Sequence, residues 1–234
     1  MVFNRRVLET LVQNIRSTSA VIFDLDGTLV DSEPLSKGAW RRVLAFHGYS
    51  VSDADITAAQ GLRFAESYAK FARASPLPPL DVIWRDYSEL LYASYDDGLV
   101  SFGDAVTTAR QLRAEGVPLA LVTSSQRERL ERTLVAADLD GLFAATVAGD
   151  EVTRGKPAPD GYLAAARLLG VDPADCVAVE DSQAGIDSAK DAGIPVLAVS
   201  RPGLLRPLTR ADLYGDEVSI GSVTALLGGR ARAA

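Results

Sequence analysis

Short, continuous apolar runs recur along this chain. Each gives way to a polar break and then to a stretch with apolar residues at helical spacing. The runs lie at residues 20–23, 117–122, 145–148, 176–179 and 195–199, and the helical patterns at 104–115, 126–137, 161–169 and 183–192. A strand that is apolar throughout, rather than at alternate positions, is buried on both faces. Strands of that kind separated by helices predict a doubly wound α/β fold, a parallel sheet with helices on each side.

The segment at residues 31–100 breaks the rhythm. It offers helical patterns at 37–46, 53–59, 64–74 and 80–95, with no strand signal, and is punctuated by Gly48, Gly61 and Pro76-Leu77-Pro78-Pro79. This reads as a small all-helical cap inserted after the first core strand, with glycines at 98 and 103 as candidate hinges. Residues 1–30 and 101–234 then form one discontinuous core. Residues 1–16 read as an amphipathic surface helix, residues 217–220 as a short strand, and residues 230–234 as a frayed tail.

Composition removes whole classes of function. The 234 residues carry a net charge of −7 (24 Lys+Arg against 31 Asp+Glu), with a sequence pI near 4.8. That balance repels nucleic acid, and no basic stripe overrides it. No apolar run is long enough to span a bilayer, and the N-terminus lacks the compact apolar core of a signal peptide. A single cysteine, Cys176, forms no intrachain disulfide, which suits a cytoplasmic protein. The one histidine, His47, ends a helical pattern, where a cation complements the helix dipole. Ser-His-Asp, Cys-His and zinc chemistry are therefore short of residues. Carboxylates remain.

Asp24-Leu25-Asp26-Gly27-Thr28 follows the first apolar run. Side chains two apart on an extended strand face the same way, so Asp24 and Asp26 can address one ligand. The same five residues equally suit an Asp-rich turn, although the further acidic ligands of an EF-hand loop are missing. Thr123-Ser124-Ser125 precedes a helix and offers either an oxyanion cradle or ordinary helix capping. Glu180-Asp181-Ser182 places two more carboxylates after a strand, and Lys156 stands on a loop between Gly155 and Pro157. Each signal is weak alone. Together they put complementary parts at the carboxyl ends of parallel strands, where open α/β sheets bind ligands. Three or more carboxylates suit a hard cation, magnesium above all, while hydroxyls, helix N–H groups and a lysine suit phosphate oxygens.

These four stretches, with Gly185 completing the last, resemble the four motifs of the haloacid dehalogenase superfamily of phosphatases. The helical insert resembles the cap of its branch containing beta-phosphoglucomutase and the phosphoglycolate and sugar-phosphate phosphatases. The resemblance implies Asp24 as nucleophile and Asp26 as acid/base. It implies Thr123, Ser124 and Lys156 around the phosphoryl group, and Mg2+ held by Asp24, the Asp26 carbonyl, Glu180 and Asp181. It also implies a small phosphorylated metabolite as substrate, a sugar or polyol phosphate, on a monomer or weak homodimer. Arg63 sits where such caps reach a second group of the substrate. Beta-phosphoglucomutases carry histidine twelve residues after the nucleophile, and this chain has Ser36 there, which favours hydrolysis over phosphate transfer to a second sugar.

Three other readings differ in class. Gly149 to Lys156 resembles a P-loop but has five residues between its glycines and Pro157 where a Ser or Thr should hold magnesium. A phosphomutase would share every core motif. A non-catalytic phospho-acceptor or binding protein would not need Asp26.

Overall fold

The computed structural model describes residues 19–59, 61–73, 76–201 and 208–228. The expected helix at residues 1–16 and the frayed tail at 230–234 lie outside them.

Six parallel strands form the core: β1 (Ala20–Phe23), β4 (Leu119–Val122), β5 (Ala145–Val147), β6 (Cys176–Glu180), β7 (Val196–Val199) and β8 (Leu213–Gly215). Their spatial order is β5-β4-β1-β6-β7-β8, so the chain builds outward on one side of β1 and then restarts on the other. β1 is completely buried, and its residues alternate between two cores. Val21 and Phe23 pack under α6 (Gly103–Ala114), α7 (Arg127–Ala136) and α10 (Ile220–Gly228). Ala20 and Ile22 pack under α8 (Asp160–Leu169) and α9 (Gln183–Asp191). Period-two alternation with both faces apolar is what a continuous hydrophobic run becomes in a covered sheet. One expected strand is misplaced. Residues 217–219 are not in a strand and α10 starts at Ile220, whereas the edge strand lies earlier, at Leu213–Gly215. An edge strand this short is half-exposed and leaves little apolar pattern to read.

The insert is helical: α1 (Glu33–Phe46), α2 (Asp53–Thr57), α3 (Phe64–Ala72), α4 (Leu80–Tyr92) and α5 (Tyr95–Gly98). It has its own core around Trp40, whose ring stacks on Phe64 at 5.1 Å and meets Phe71 at 4.9 Å and Tyr87 at 4.7 Å. His47 ends α1 and pairs with Asp86 of α4 at 2.8 Å, a structural use of the only histidine.

The passages into and out of the cap lie side by side. β2 (Val30–Asp31) pairs antiparallel with β3 (Val100–Ser101), and the Phe102 N–H donates to the Leu29 carbonyl at 2.9 Å. Two-residue strands carry no readable pattern, which is why the sequence shows none here. Arg201, beyond β7, pins this ribbon from the core. Its guanidinium donates to Asp104 and to the Thr28 carbonyl, each at 3.0 Å, and lies 4.1 Å over the Phe102 ring. Gly98 has a packing reason: a Cβ there would meet Leu35 Cδ2 at 2.9 Å.

Trp40→Ala should remove the centre of the cap's aromatic cluster and cost about 3–5 kcal/mol, the usual range for deleting a buried tryptophan. Denaturant unfolding followed by circular dichroism should show the loss as a lowered midpoint. An unchanged midpoint would mean that the cluster does not hold the cap together.

Candidate active site

The carboxyl ends of β1, β4 and β6 meet where the strand order reverses, and every core motif is delivered there. β1 carries Asp24, which is still tied into the sheet by its N–H bond to the Val179 carbonyl at 3.0 Å. The chain then turns sharply. Gly27 takes φ +93°, and a Cβ on it would overlap the Asp181 carboxylate, so the position requires glycine on both counts.

Lys156 is the hub. Its Nζ donates at 2.5 Å to Asp24 Oδ1, at 2.6 Å to Glu180 Oε1 and at 3.0 Å to the Val122 carbonyl, which uses all three of its protons. Glu180 is fully buried and correspondingly well bonded. Its Oε1 also accepts from Tyr162 Oη at 2.7 Å, and its Oε2 accepts from Ser182 Oγ at 3.1 Å. Gly185, at the start of α9, makes room for this carboxylate, which a Cβ would overlap. Asp181 accepts from Thr28 Oγ1 at 3.4 Å.

Asp24, Glu180 and Asp181 each offer an oxygen within 4.8 Å of the others. Burial raises the Asp24 carboxyl to about 8; Lys156 opposes that rise and Glu180 reinforces it. Burial likewise pushes Asp181 well above the carboxylate range, with Asp24 and Glu180 adding to it. Burial works against the Lys156 ammonium, but Asp24 and Glu180 outweigh it and hold the charge firmly in place. A single ammonium therefore faces three carboxylates. Asp24 Oδ2, moreover, is buried without any hydrogen-bond partner. An orphaned oxygen beside two further carboxylates fits a hard divalent cation ligated by oxygen.

Asp26 turns to a different set of partners. Its Oδ2 accepts from Ser125 Oγ at 2.8 Å and Thr123 Oγ1 at 3.2 Å; its Oδ1 accepts from Arg129 Nη2 at 2.9 Å and from Ser32 Oγ. Burial acts to raise its pKa, but Arg129 and the three hydroxyls prevail and hold it below the usual value. The expectation that Asp24 and Asp26 address one ligand is thus divided. Asp26's carboxylate lies outside the three-carboxylate cluster, and only its backbone carbonyl is left as a potential metal ligand. The hydroxyls of Thr123 and Ser125 do not cap α7; its N-cap is Gln126, with no side-chain cap bond.

Ser124 lies in the same turn, and its hydroxyl has no partner among the described residues. Its carbonyl packs so closely on Gly149 that a Cβ there would overlap it. Arg63 starts α3 from the cap and reaches the core: its side chain lies along Gly155, next to Lys156, where a Cβ would meet its Cδ and Nε at 2.9 Å. Its guanidinium is paired with Glu66 at 2.8 Å.

Sequence reasoning missed Ser32, Tyr162 and Arg129, and it named Ser125 only as part of the hydroxyl stretch, without a role. Ser32 and Tyr162 are ordinary residues in ordinary positions. Arg129 did leave a trace: together with Arg127 it puts positive charge in the first turn of α7, against the helix dipole, which calls for a nearby anion.

A sequence profile of haloacid dehalogenase-like hydrolases matches residues 18–193. Validoxylamine A 7'-phosphate phosphatase of Streptomyces hygroscopicus subsp. limoneus is 32% identical over 82% of this chain and 90% of its own. Hexitol phosphatase A of Escherichia coli K12 is 32% identical over 82% and 88%. Among solved structures, CbbY of Rhodobacter sphaeroides in complex with phosphate is similar at TM-score 0.77 and 27% identity, covering 86% of this chain and 94% of that one. With the motif residues gathered at the switch point of a capped parallel sheet, the chain belongs to the haloacid dehalogenase-like hydrolases.

Proposed function

We propose that this protein is a magnesium-dependent phosphatase acting on a small phosphorylated metabolite, a sugar or polyol phosphate, through a phosphorylated Asp24. The observation that carries the reading is Asp24 itself. One of its oxygens is bound by Lys156, and the other is buried with no partner beside two more carboxylates. The names of the relatives support the substrate class: validoxylamine A 7'-phosphate phosphatase, hexitol phosphatase A and fructose-1-phosphate phosphatase YqaB.

In this reading Asp24 attacks phosphorus as the bond to the leaving alcohol oxygen breaks, and Asp26, which must first take up a proton against the pull of Arg129 and its hydroxyl partners, gives that oxygen its proton. The carboxylate left on Asp26 then takes a proton from water, whose oxygen attacks phosphorus. Inorganic phosphate leaves, Asp24 is restored, and Asp26 is again protonated. Ser124, together with Lys156 and Thr123 once each exchanges a present bond for one to substrate, binds the phosphoryl oxygens, and Arg63, on the cap beside Gly155, meets the rest of the substrate. Asp24, Glu180, Asp181 and the Asp26 carbonyl would hold Mg2+, which supplies positive charge where negative charge accumulates in phosphoryl transfer. Residues 31–100 form the cap, and residues 1–30 and 101–234 the catalytic core.

Hydrolysis is favoured over a mutase reaction by Ser36. Its hydroxyl bonds Tyr87 at 2.9 Å and makes no bond to Asp26, so no side chain at this position restrains the acid/base group.

Asp24→Asn should abolish phosphate release while the melting curve keeps its cooperative form. A variant with near-normal turnover would remove Asp24 as nucleophile. Hydrolase and mutase are separated by a sugar 1-phosphate supplied with a trace of the matching bisphosphate. Free phosphate is the expected product, and isomerised sugar phosphate without it would reverse the assignment.

Metal binding should also release protons. Asp24, raised to about 8, is largely protonated at neutral pH but must ionise to ligate a cation. Titration calorimetry with Mg2+ at about pH 6, in buffers of different ionisation enthalpy, should reveal that release, and it should fade by about pH 9. Binding with no proton release at the lower pH would show the carboxylates to be ionised already.

A further inference from the structure

Arg129 is a buried charge that none of the four motifs contains. Its side chain and that of its partner Asp26 are only 13% and 17% exposed. Burying a guanidinium is costly, and a buried ion pair usually adds little stability compared with an apolar pair of the same shape. Its place in the first turn of α7 sets it against the helix dipole as well. Its presence there is therefore best explained by what it touches.

Arg129 touches the seam between cap and core. Nη2 donates to Asp26 Oδ1 at 2.9 Å and to Ser32 Oγ at 3.2 Å, and Nη1 donates to Tyr87 Oη of the cap at 3.2 Å. Tyr87 in turn shares its bond with Ser36. The other donors to the Asp26 side chain are the hydroxyls of Ser32, Thr123 and Ser125, which rotate about single bonds. Arg129 alone is charged and planar, and with Nη1 anchored on Tyr87 its rigid plane sets the direction of the Nη2 bond to Asp26. Lys156, by contrast, makes no bond to Asp26 and serves Asp24 and Glu180. The two buried cations thus divide the two aspartates between them.

We propose that Arg129 is a positioning residue for Asp26: it aims that carboxylate at the leaving-group oxygen and carries the contact of Tyr87 from the cap to the acid/base group. It acts through Asp26 and not on the transferring phosphate. The inference rests on the acid/base role given to Asp26 above.

Leaving groups supply the test. Nitrophenolate departs without a proton, whereas phenolate is a poorer leaving group and gains more from one. Values of kcat/KM, which report formation of the phosphorylated enzyme, are measured with p-nitrophenyl phosphate and phenyl phosphate for the full-length wild type, Asp26→Asn, Arg129→Met and Arg129→Lys. Asp26→Asn should lose much more against phenyl phosphate. Arg129→Met should share that selectivity, losing about tenfold more against phenyl phosphate than against p-nitrophenyl phosphate, a fraction of what general acid catalysis contributes. Arg129→Lys, which keeps the charge without the fork, should fall between wild type and Met, and it carries the comparison if the Met variant does not fold. If Asp26→Asn shows no selectivity, the acid/base role fails and the inference with it. If Asp26→Asn is selective while the Arg129 variants lose equally against both esters, Arg129 is merely structural and the inference alone is overturned.

Discussion

The ammonium of Lys156, wedged between Asp24 and Glu180, is the interaction on which the rest of the site depends. Removing one partner from a buried ion pair costs about 3–5 kcal/mol, because the remaining charge is left without compensation. Here two carboxylates at the ends of neighbouring strands share one cation, so the lysine holds the two side chains together where β1 and β6 leave the sheet. Tyr162 and Ser182 complete the shell of Glu180, and the missing Cβ atoms of Gly27 and Gly185 let the carboxylates approach. Three carboxyl groups around one ammonium, with Asp24 Oδ2 left without a donor, are what fit the cluster to a further cation in the proposed chemistry.

A second cation, Arg129, keeps the Asp26 carboxylate apart from this cluster. Asp24 and Asp26 are separated by one residue, yet the turn at Gly27 sends their side chains to different environments. One lies among carboxylates that push its proton affinity up, and the other is surrounded by Arg129 and hydroxyls that lower it. The two neighbouring acids thus sit in electrostatically distinct environments. The cap touches both halves, with Arg63 along the Lys156 loop and Tyr87 against Arg129. The paired passages of β2 and β3, pinned by Arg201, fix where the cap meets the core.

Much of this was legible in the sequence because its signals are local and repeated. The apolar runs gave the strands, their polar breaks gave the motifs, and the absence of strand pattern in residues 31–100 marked the helical cap. What stayed hidden depends on contacts between residues distant in sequence. β2 and β3 exist only as a pair, and β8 is a short, half-exposed edge. Tyr162 reaches the site across 18 residues with nothing nearby in sequence to mark it, and Arg129 across 103, marked only by its charge in the first turn of α7. The divergence of Asp24 and Asp26 was hidden too: strand alternation predicts a common direction, but the strand has ended and a left-handed glycine follows.

The most direct test of the account is to catch the phosphorylated residue. Enzyme quenched in acid during turnover of an aryl phosphate, then reduced with borohydride, would convert an aspartyl phosphate to homoserine, which peptide mass mapping locates. The account predicts homoserine at position 24 and none at 26 or 181. Homoserine at another aspartate, or none while phosphate is being released in a burst, would contradict it.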